Sequence, residues 1–207
     1  MKTNLGKAGF IGRFKPLHNG GYVMLNSLCE KADEVIIGIG SSNKYNLRNP
    51  FTAEESEAMI NCVLANKFSN YSIIHIPDFA HLKEYNNGQK WKNYIVEKFK
   101  GLDYFISSNE YVRTLLEDSF SLLYPFDIIP KEKYLKLRAT EVRVEMAKFG
   151  NWKNLVPESV ASYLEKNKLV DRFRREFGLK TIANLTYKAN YKEDENKHAE
   201  KMHAQEV

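Results

Sequence analysis

Short apolar runs alternating with segments of helical spacing constrain this chain more than any other feature. Residues 7–12 (Lys7-Ala8-Gly9-Phe10-Ile11-Gly12) and 34–40 each end on glycine, and the second is rich in β-branched residues. Runs at 71–76 and 103–107 have the same character. Between them, 20–32 places Tyr22, Leu25, Leu28 and Cys29 at helical spacing, and 89–99 and 110–118 read as further helices. Thr52 followed three residues later by Glu55 is a capping-box signature, and Ala58, Met59, Val63 and Leu64 supply the stripe of the helix it opens. A fifth, short strand is expected at 126–129. Strands alternating with helices of this length predict right-handed βαβ crossovers, hence a doubly wound, Rossmann-like α/β fold with a parallel sheet of about five strands. In such sheets ligands sit outside the carboxyl ends of the strands. Function is therefore expected in 13–21, 41–51, 77–88 and 107–110.

After residue 138 the pattern is helical only, with helices expected at 140–149, from Pro157 to about Lys166, and at 169–177. From Lys188 the chain is polar, with four Lys against five Asp/Glu, and reads as a solvated, disordered tail, with a charged extra helix as the alternative. The two cysteines exclude a disulfide scaffold and a Cys-only zinc site; both Cys29 and Cys62 are expected in the core. The longest strongly apolar run, 35–39, is far short of the roughly 20 residues of a membrane span. The first residues lack the apolar stretch of a signal peptide, so a cytoplasmic location is expected. A net charge of +5 favours anionic partners without choosing among them, and no RNP-type motif points to nucleic acid.

The loop Gly12-Arg13-Phe14-Lys15-Pro16-Leu17-His18-Asn19-Gly20-Gly21 carries the strongest chemical signal. It joins an expected buried strand to a helix. Arg13, Lys15 and His18 offer charge or donors, the glycines admit close backbone approach, and the helix start presents free N–H groups. This composition suits a polyphosphate, yet the spacing is neither that of a Walker A loop nor that of the dinucleotide fingerprint.

Gly12-Arg13-Phe14-x-Pro16-x-His18-x-Gly20 resembles the opening motif of the HxGH nucleotidyltransferase superfamily, in the form closest to archaeal-type nicotinamide-mononucleotide (NMN) adenylyltransferases. Asn49-Pro50-Phe51-Thr52-Ala53-Glu54-Glu55 resembles that family's N-P-F-T-A-G-E segment, and Arg138-Ala139-Thr140-Glu141-Val142-Arg143 its S-G-T-E-[IV]-R segment. The resemblance implies a nucleotidyltransferase domain over 1–170; a helical extension over 171–187 and the tail over 188–207 follow it, and the tail has no counterpart in the resemblance. The resemblance further implies transfer of AMP from Mg-ATP to a mononucleotide, with NMN as acceptor, magnesium as cofactor and a homo-oligomeric assembly. No protein side chain is singled out as a metal ligand.

On this resemblance His18, Arg13 and Arg143 are the candidate catalytic residues. Gly12, Arg13, Phe14, Lys15, His18, Gly20, Gly21, Arg138, Thr140 and Arg143 are candidates for ATP and phosphate. Ser41, Asn43, Asn49, Asp78, Trp91, Ser107 and Asn109 are candidates for nucleotide or acceptor. Three departures stand out: Gly21 replaces the second motif histidine, Arg138 replaces serine, and Ser56 replaces arginine. Arg138 is a candidate to supply the charge missing elsewhere. The departures keep two alternatives open: a different acceptor, or a nucleotide-binding protein without turnover. An RNA-binding adaptor is the remaining class, and it predicts a steep salt dependence. His75 reads as packed. His81, His198 and His203 lie in polar segments without evident metal partners.

Overall fold

The computed structural model describes residues 5–80, 82–83 and 88–185. Its centre is a five-stranded sheet in the order β3-β2-β1-β4-β5, with every pair parallel. The strands are β1 (Lys7–Gly12), β2 (Glu34–Gly40), β3 (Tyr71–Ile76), β4 (Tyr104–Ile106) and β5 (Ser121–Leu123). Helix α1 (Asn19–Lys31) follows β1, α2 (Ala53–Leu64) follows β2, α3 (Gln89–Lys98) follows β3 and α4 (Glu110–Leu116) follows β4. The doubly wound α/β architecture expected from the alternation is the one observed.

Period-two side-chain alternation sorts the sheet residues into two cores. Val35, Ile37 and Ile39 of β2 face one side and pack with Leu25 and Leu28 of α1 and Met59 and Ile60 of α2. Ile36, one residue out of phase, faces the other side with Ile76, Ile95, Phe99 and Phe105. Both faces of β2 are thus covered, which is why it reads as a continuous apolar run.

The fifth strand is not at 126–129. β5 is Ser121–Leu123, and Pro125–Ile128 forms the short helix α5. Pro125 occupies the first helical position, where its missing N–H is not needed, and Asp127 accepts from the Tyr124 N–H at 2.8 Å. A three-residue strand is too short to carry a period, and the apolar run beside it belongs to a helical turn.

The remaining helices are α6 (Ala139–Ala147), α7 (Glu158–Lys166) and α8 (Leu169–Phe173). Pro157 is the N-cap of α7 rather than its first residue. After α8 a π turn, Arg174–Gly178, leads into helical residues 179–185. Val142, Leu164 and Phe173 are fully buried in the same core as α1 and α2. Cys29 is buried, but Cys62 is exposed, contrary to expectation. It lies in α2 between the partly exposed Asn61 and the buried Val63. Among the described residues no helix is long and apolar enough to cross a membrane. The tail over 188–207 and His81, His198 and His203 lie outside the described residues.

Candidate functional site

Four loops leave the carboxyl ends of β1 to β4 and meet above the sheet. They border a cleft of about 560 Å³. Gly12 and Arg13 enter it from the first loop, Ser41 from the second and Asp78 from the third. Ser107 and Asn109 enter from the fourth, and Trp91 of α3 lines the same space together with Phe79 and Tyr111. Among the described residues the cleft is thus lined by the rings of Phe79, Trp91, Phe105 and Tyr111 and by one cation, Arg13.

The first loop is shaped by close packing. Phe14 has a positive φ of 53°, and its ring lies so close to Gly12 that a Cβ there would sit 2.7 Å from the ring. Lys15 is almost completely buried. Its Nζ donates to the carbonyls of Ser41 at 2.9 Å and Lys44 at 3.4 Å, and it does not line the cleft. Burial, then the neighbouring Arg13, lowers its pKa to about 8. Lys15 thus joins the first loop to the second.

His18 caps α1. Its Nδ1 accepts from the Gly21 N–H at 3.1 Å, so in the neutral ring the proton is on Nε2, which is left as a donor. Burial lowers its pKa from 6.5 to about 4. The sign of the consequence follows from linkage. Between pH 6.5 and about 4 the unfolded chain takes up a proton on His18 that the folded protein refuses. Stability is therefore expected to fall as pH falls through that window and to level off below it. A His18→Asn variant keeps an N-cap acceptor without the titration. Thermal unfolding across this range should show a shallower decline in the variant; equal slopes would exclude His18 as the source.

Arg143 of α6 reaches back to this loop. It donates through Nη1 to the Lys15 carbonyl at 2.8 Å and through Nη2 to Thr140 Oγ1 at 3.1 Å. Burial, then Arg13 and Arg48, pushes its pKa down to about 10. Arg13 is also shifted down, by partial desolvation and by Arg48, with Asp78 opposing. The three arginines are thus electrostatic neighbours: Arg13 lines the cleft, Arg143 ties the loop beside it and Arg48 is exposed. Arg48 is not among the residues expected from the motifs. The signal was its place in the 41–51 segment, one residue before the Asn49-Pro50 motif; what it faces depends on how the loop folds.

The other candidates divide between cleft and scaffold. Asn43 and Asp78 exchange hydrogen bonds: Nδ2 of Asn43 donates to the Asp78 carbonyl at 3.0 Å, and the Asp78 N–H donates to Asn43 Oδ1 at 2.7 Å. Ser107 Oγ accepts from the Asn109 N–H at 3.1 Å, and Asn109 caps α4 through the Val112 N–H at 3.3 Å. Asn49 is buried and does not line the cleft; its Nδ2 donates to Asn46 Oδ1 at 3.1 Å, and its Oδ1 has no hydrogen-bond partner among the described residues. Arg138 is the exposed N-cap of α6 and makes no side-chain cap bond. Gly20 packs beneath the Leu135 carbonyl, where a Cβ would meet the oxygen at 3.0 Å. His75 is partly exposed and pairs with Glu57 at 2.8 Å.

Comparison with known proteins bears on what this site is for. The family model described as cytidylyltransferase-like matches residues 10–162. The chain belongs to that family. Its cytidylyltransferase-like segment contains all four loops of the cleft and ends within α7. A nicotinamide-nucleotide adenylyltransferase of Thermococcus onnurineus is 33% identical over 170 residues, covering 80% of this chain and 85% of the relative. One from Methanolobus tindarius is 31% identical over 169 residues, covering 81% and 92%. Among solved structures, a bifunctional NMN adenylyltransferase/ADP ribose pyrophosphatase from Francisella tularensis, complexed with AMP and a manganese ion, superposes with a TM-score of 0.64 at 21% identity. That alignment covers 93% of this chain and 56% of the other, so the chain spans little more than half the length of that protein. At this identity the likeness supports the nucleotidyltransferase fold.

Proposed function

We propose that this chain is an NMN adenylyltransferase that transfers AMP from ATP to NMN, giving NAD and pyrophosphate. The observation that carries the reading is a cleft at the strand ends lined by Arg13, which has Arg48 and Arg143 as electrostatic neighbours, and by the rings of Phe79, Trp91 and Tyr111. An anion offsets the mutual repulsion of neighbouring arginines, and a polyphosphate that carries a base or pyridine ring suits such a lining. The names of the relatives support the same substrates.

In this reading an oxygen of the NMN phosphate forms a bond to the α-phosphorus of ATP while the bond from that phosphorus to the bridging oxygen breaks. The electron pair leaves with pyrophosphate, and no covalent enzyme intermediate is needed. Catalysis then consists of alignment and of charge stabilisation on the transferring group. Arg13, Arg143 and the Nε2–H of His18 supply the stabilising donors, Arg48 binds the triphosphate alike in the ground and transition states, and Trp91, Ser107 and Asn109 orient the organic ends. Magnesium suits the donor set. Among the described residues no three His, Cys, Asp or Glu side chains gather to hold a metal, and Asp78 is the only acidic residue lining the cleft. This fits an ion held mainly by phosphates, as magnesium commonly is. When bound, the ion neutralises phosphate charge. A homo-oligomer in the cytoplasm belongs to the same reading and rests on the resemblance.

Gly21 favours a second reading, a nucleotide-binding protein without turnover, because it leaves no side chain where the family motif has histidine. One experiment separates the two. Purified protein with magnesium, ATP and NMN should release NAD and pyrophosphate in equal amounts. ATP binding without either product would favour the second reading, and pyrophosphate formation only with another phosphate ester would change the acceptor.

A further inference from the structure

Arg48 lies in the segment between β2 and α2, and that segment is held from outside by the C-terminal helix. Arg172 of α8 makes a two-pronged pair with Glu55, Nη1 to Oε1 at 2.6 Å and Nη2 to Oε2 at 2.7 Å. Nη2 also donates to the Pro50 carbonyl at 3.3 Å. The same guanidinium lies 5.5 Å from the centre of the Tyr45 ring. The Tyr45 hydroxyl donates to Glu176 in the π turn, and its ring meets Phe177 edge-on at 5.5 Å. Phe51 stacks on Phe173 with ring centres 6.2 Å apart. The helix therefore grips the chain at Tyr45 on one side of Arg48 and at Pro50, Phe51 and Glu55 on the other.

Such a grip answers an electrostatic need. Arg13, Arg48 and Arg143 repel one another, and Arg48 is carried on a loop, so repulsion acts to drive it outward. Within the loop, Asn46 Oδ1 accepts from the N–H groups of Arg48 at 3.0 Å and Asn49 at 3.1 Å, which sets the local turn but not its distance from the cluster. The two-pronged pair is the strong geometry for arginine and carboxylate, and here both partners are largely shielded, with 24% and 15% of their side chains exposed. Glu55 serves twice, since its Oε2 also accepts from the Thr52 N–H at 2.9 Å in the capping box of α2. The π turn falls where the helix meets Tyr45, and single π turns within helices occur frequently at functional sites. None of Tyr45, Arg172 and Glu176 lines the cleft.

We propose that Tyr45, Arg172 and Glu176 are positioning residues that hold Arg48 at the triphosphate site, an inference that rests on the adenylyl-transfer reading above. A charge that meets the triphosphate in both the ground state and the transition state contributes uniform binding. Loosening it should therefore appear in KM rather than in kcat.

The test uses Tyr45→Phe, which keeps the ring and removes the bond to Glu176, and Arg172→Met, which removes the pair with Glu55. Each is measured alone and in an Arg48→Ala background, with Mg-ATP as the varied substrate and NMN saturating. Each single variant is expected to raise KM for Mg-ATP about tenfold with kcat within about twofold. In the Arg48→Ala background the same substitutions should add no further rise, because the residue they position is gone. Arg172→Lys, which keeps charge but not the planar fork, should recover only part of the loss. An unchanged KM, or the same rise in both backgrounds, would overturn the proposal. If Arg172→Met does not fold, Tyr45→Phe alone decides. Failure of the unsubstituted protein to bind and turn over Mg-ATP would instead defeat the adenylyl-transfer reading, and the clamp with it.

Discussion

Replacing Arg143 with methionine is expected to lower kcat/KM for Mg-ATP by about 10²–10³-fold, the usual cost of one donor aimed at transition-state charge. Stability should respond differently. Arg143 sits in a cluster whose other members, Arg13 and Arg48, already push its pKa down to about 10 after burial has done most of that work. Removing it relieves repulsion, at the expense of the bonds to the Lys15 carbonyl and Thr140 Oγ1. These terms oppose each other at about 1 kcal/mol each, so the unfolding midpoint should hardly move. A large activity loss with an unchanged midpoint is the signature of a residue kept for function rather than for stability. Steady-state kinetics and thermal unfolding on the same preparations check both halves. An unchanged kcat/KM would remove Arg143 from the site.

Gly21→His is expected to change activity in the opposite direction, raising kcat by about 10²-fold if the missing motif histidine is worth one transition-state donor. The backbone admits the change. A Cβ at position 21 would lie 3.1 Å from Leu17 Cδ1 and 3.8 Å from His18 Cε1. Leu17 is fully buried, so its methyl must give by a few tenths of an ångström, while the helix gains roughly 0.5–1 kcal/mol by losing a glycine. Position 21 is in the first turn of α1, and with its Cβ 3.8 Å from His18 Cε1 the two imidazoles would be neighbours. Gly21→Ala separates the effects: it carries the same Cβ and should match the histidine variant in stability but not in rate. If histidine gives no more turnover than alanine, the present site does not lack a donor at this point.

The parts of this protein that were legible in advance share a physical cause. β1 to β4 and the helices between them announce themselves because a strand buried on both faces must be apolar throughout, as residues 35–39 are, and a half-buried helix must carry a stripe. The Thr52–Glu55 capping box was readable because both partners are local, three residues apart, and both of its hydrogen bonds form. β5 was misplaced because a three-residue strand has no period to read, and Cys62 because spacing on a helix does not reveal which side a neighbour covers.

The site divides along the same line. The four loops after β1 to β4, with Arg13 and Asp78 in them and Trp91 of α3 facing the same cleft, follow from the chain alone, because parallel α/β topology fixes where strand ends converge. Other residues changed meaning once packed. Lys15 is a cation in the sequence and a buried tie between two loops in the structure. Arg48 is one of many surface arginines until the loop brings it to Arg13 and Arg143, and Tyr45 and Arg172 meet across more than a hundred residues of chain. The sequence by itself determined the α/β framework, the helix caps and the loops that would carry chemistry, since these depend on local periodicity and on topology. Only the tertiary structure decided which charges face one another, which donate to a carbonyl and which are neutralised by a carboxylate, because Coulomb and hydrogen-bond energies depend on distances in space that residue order does not encode.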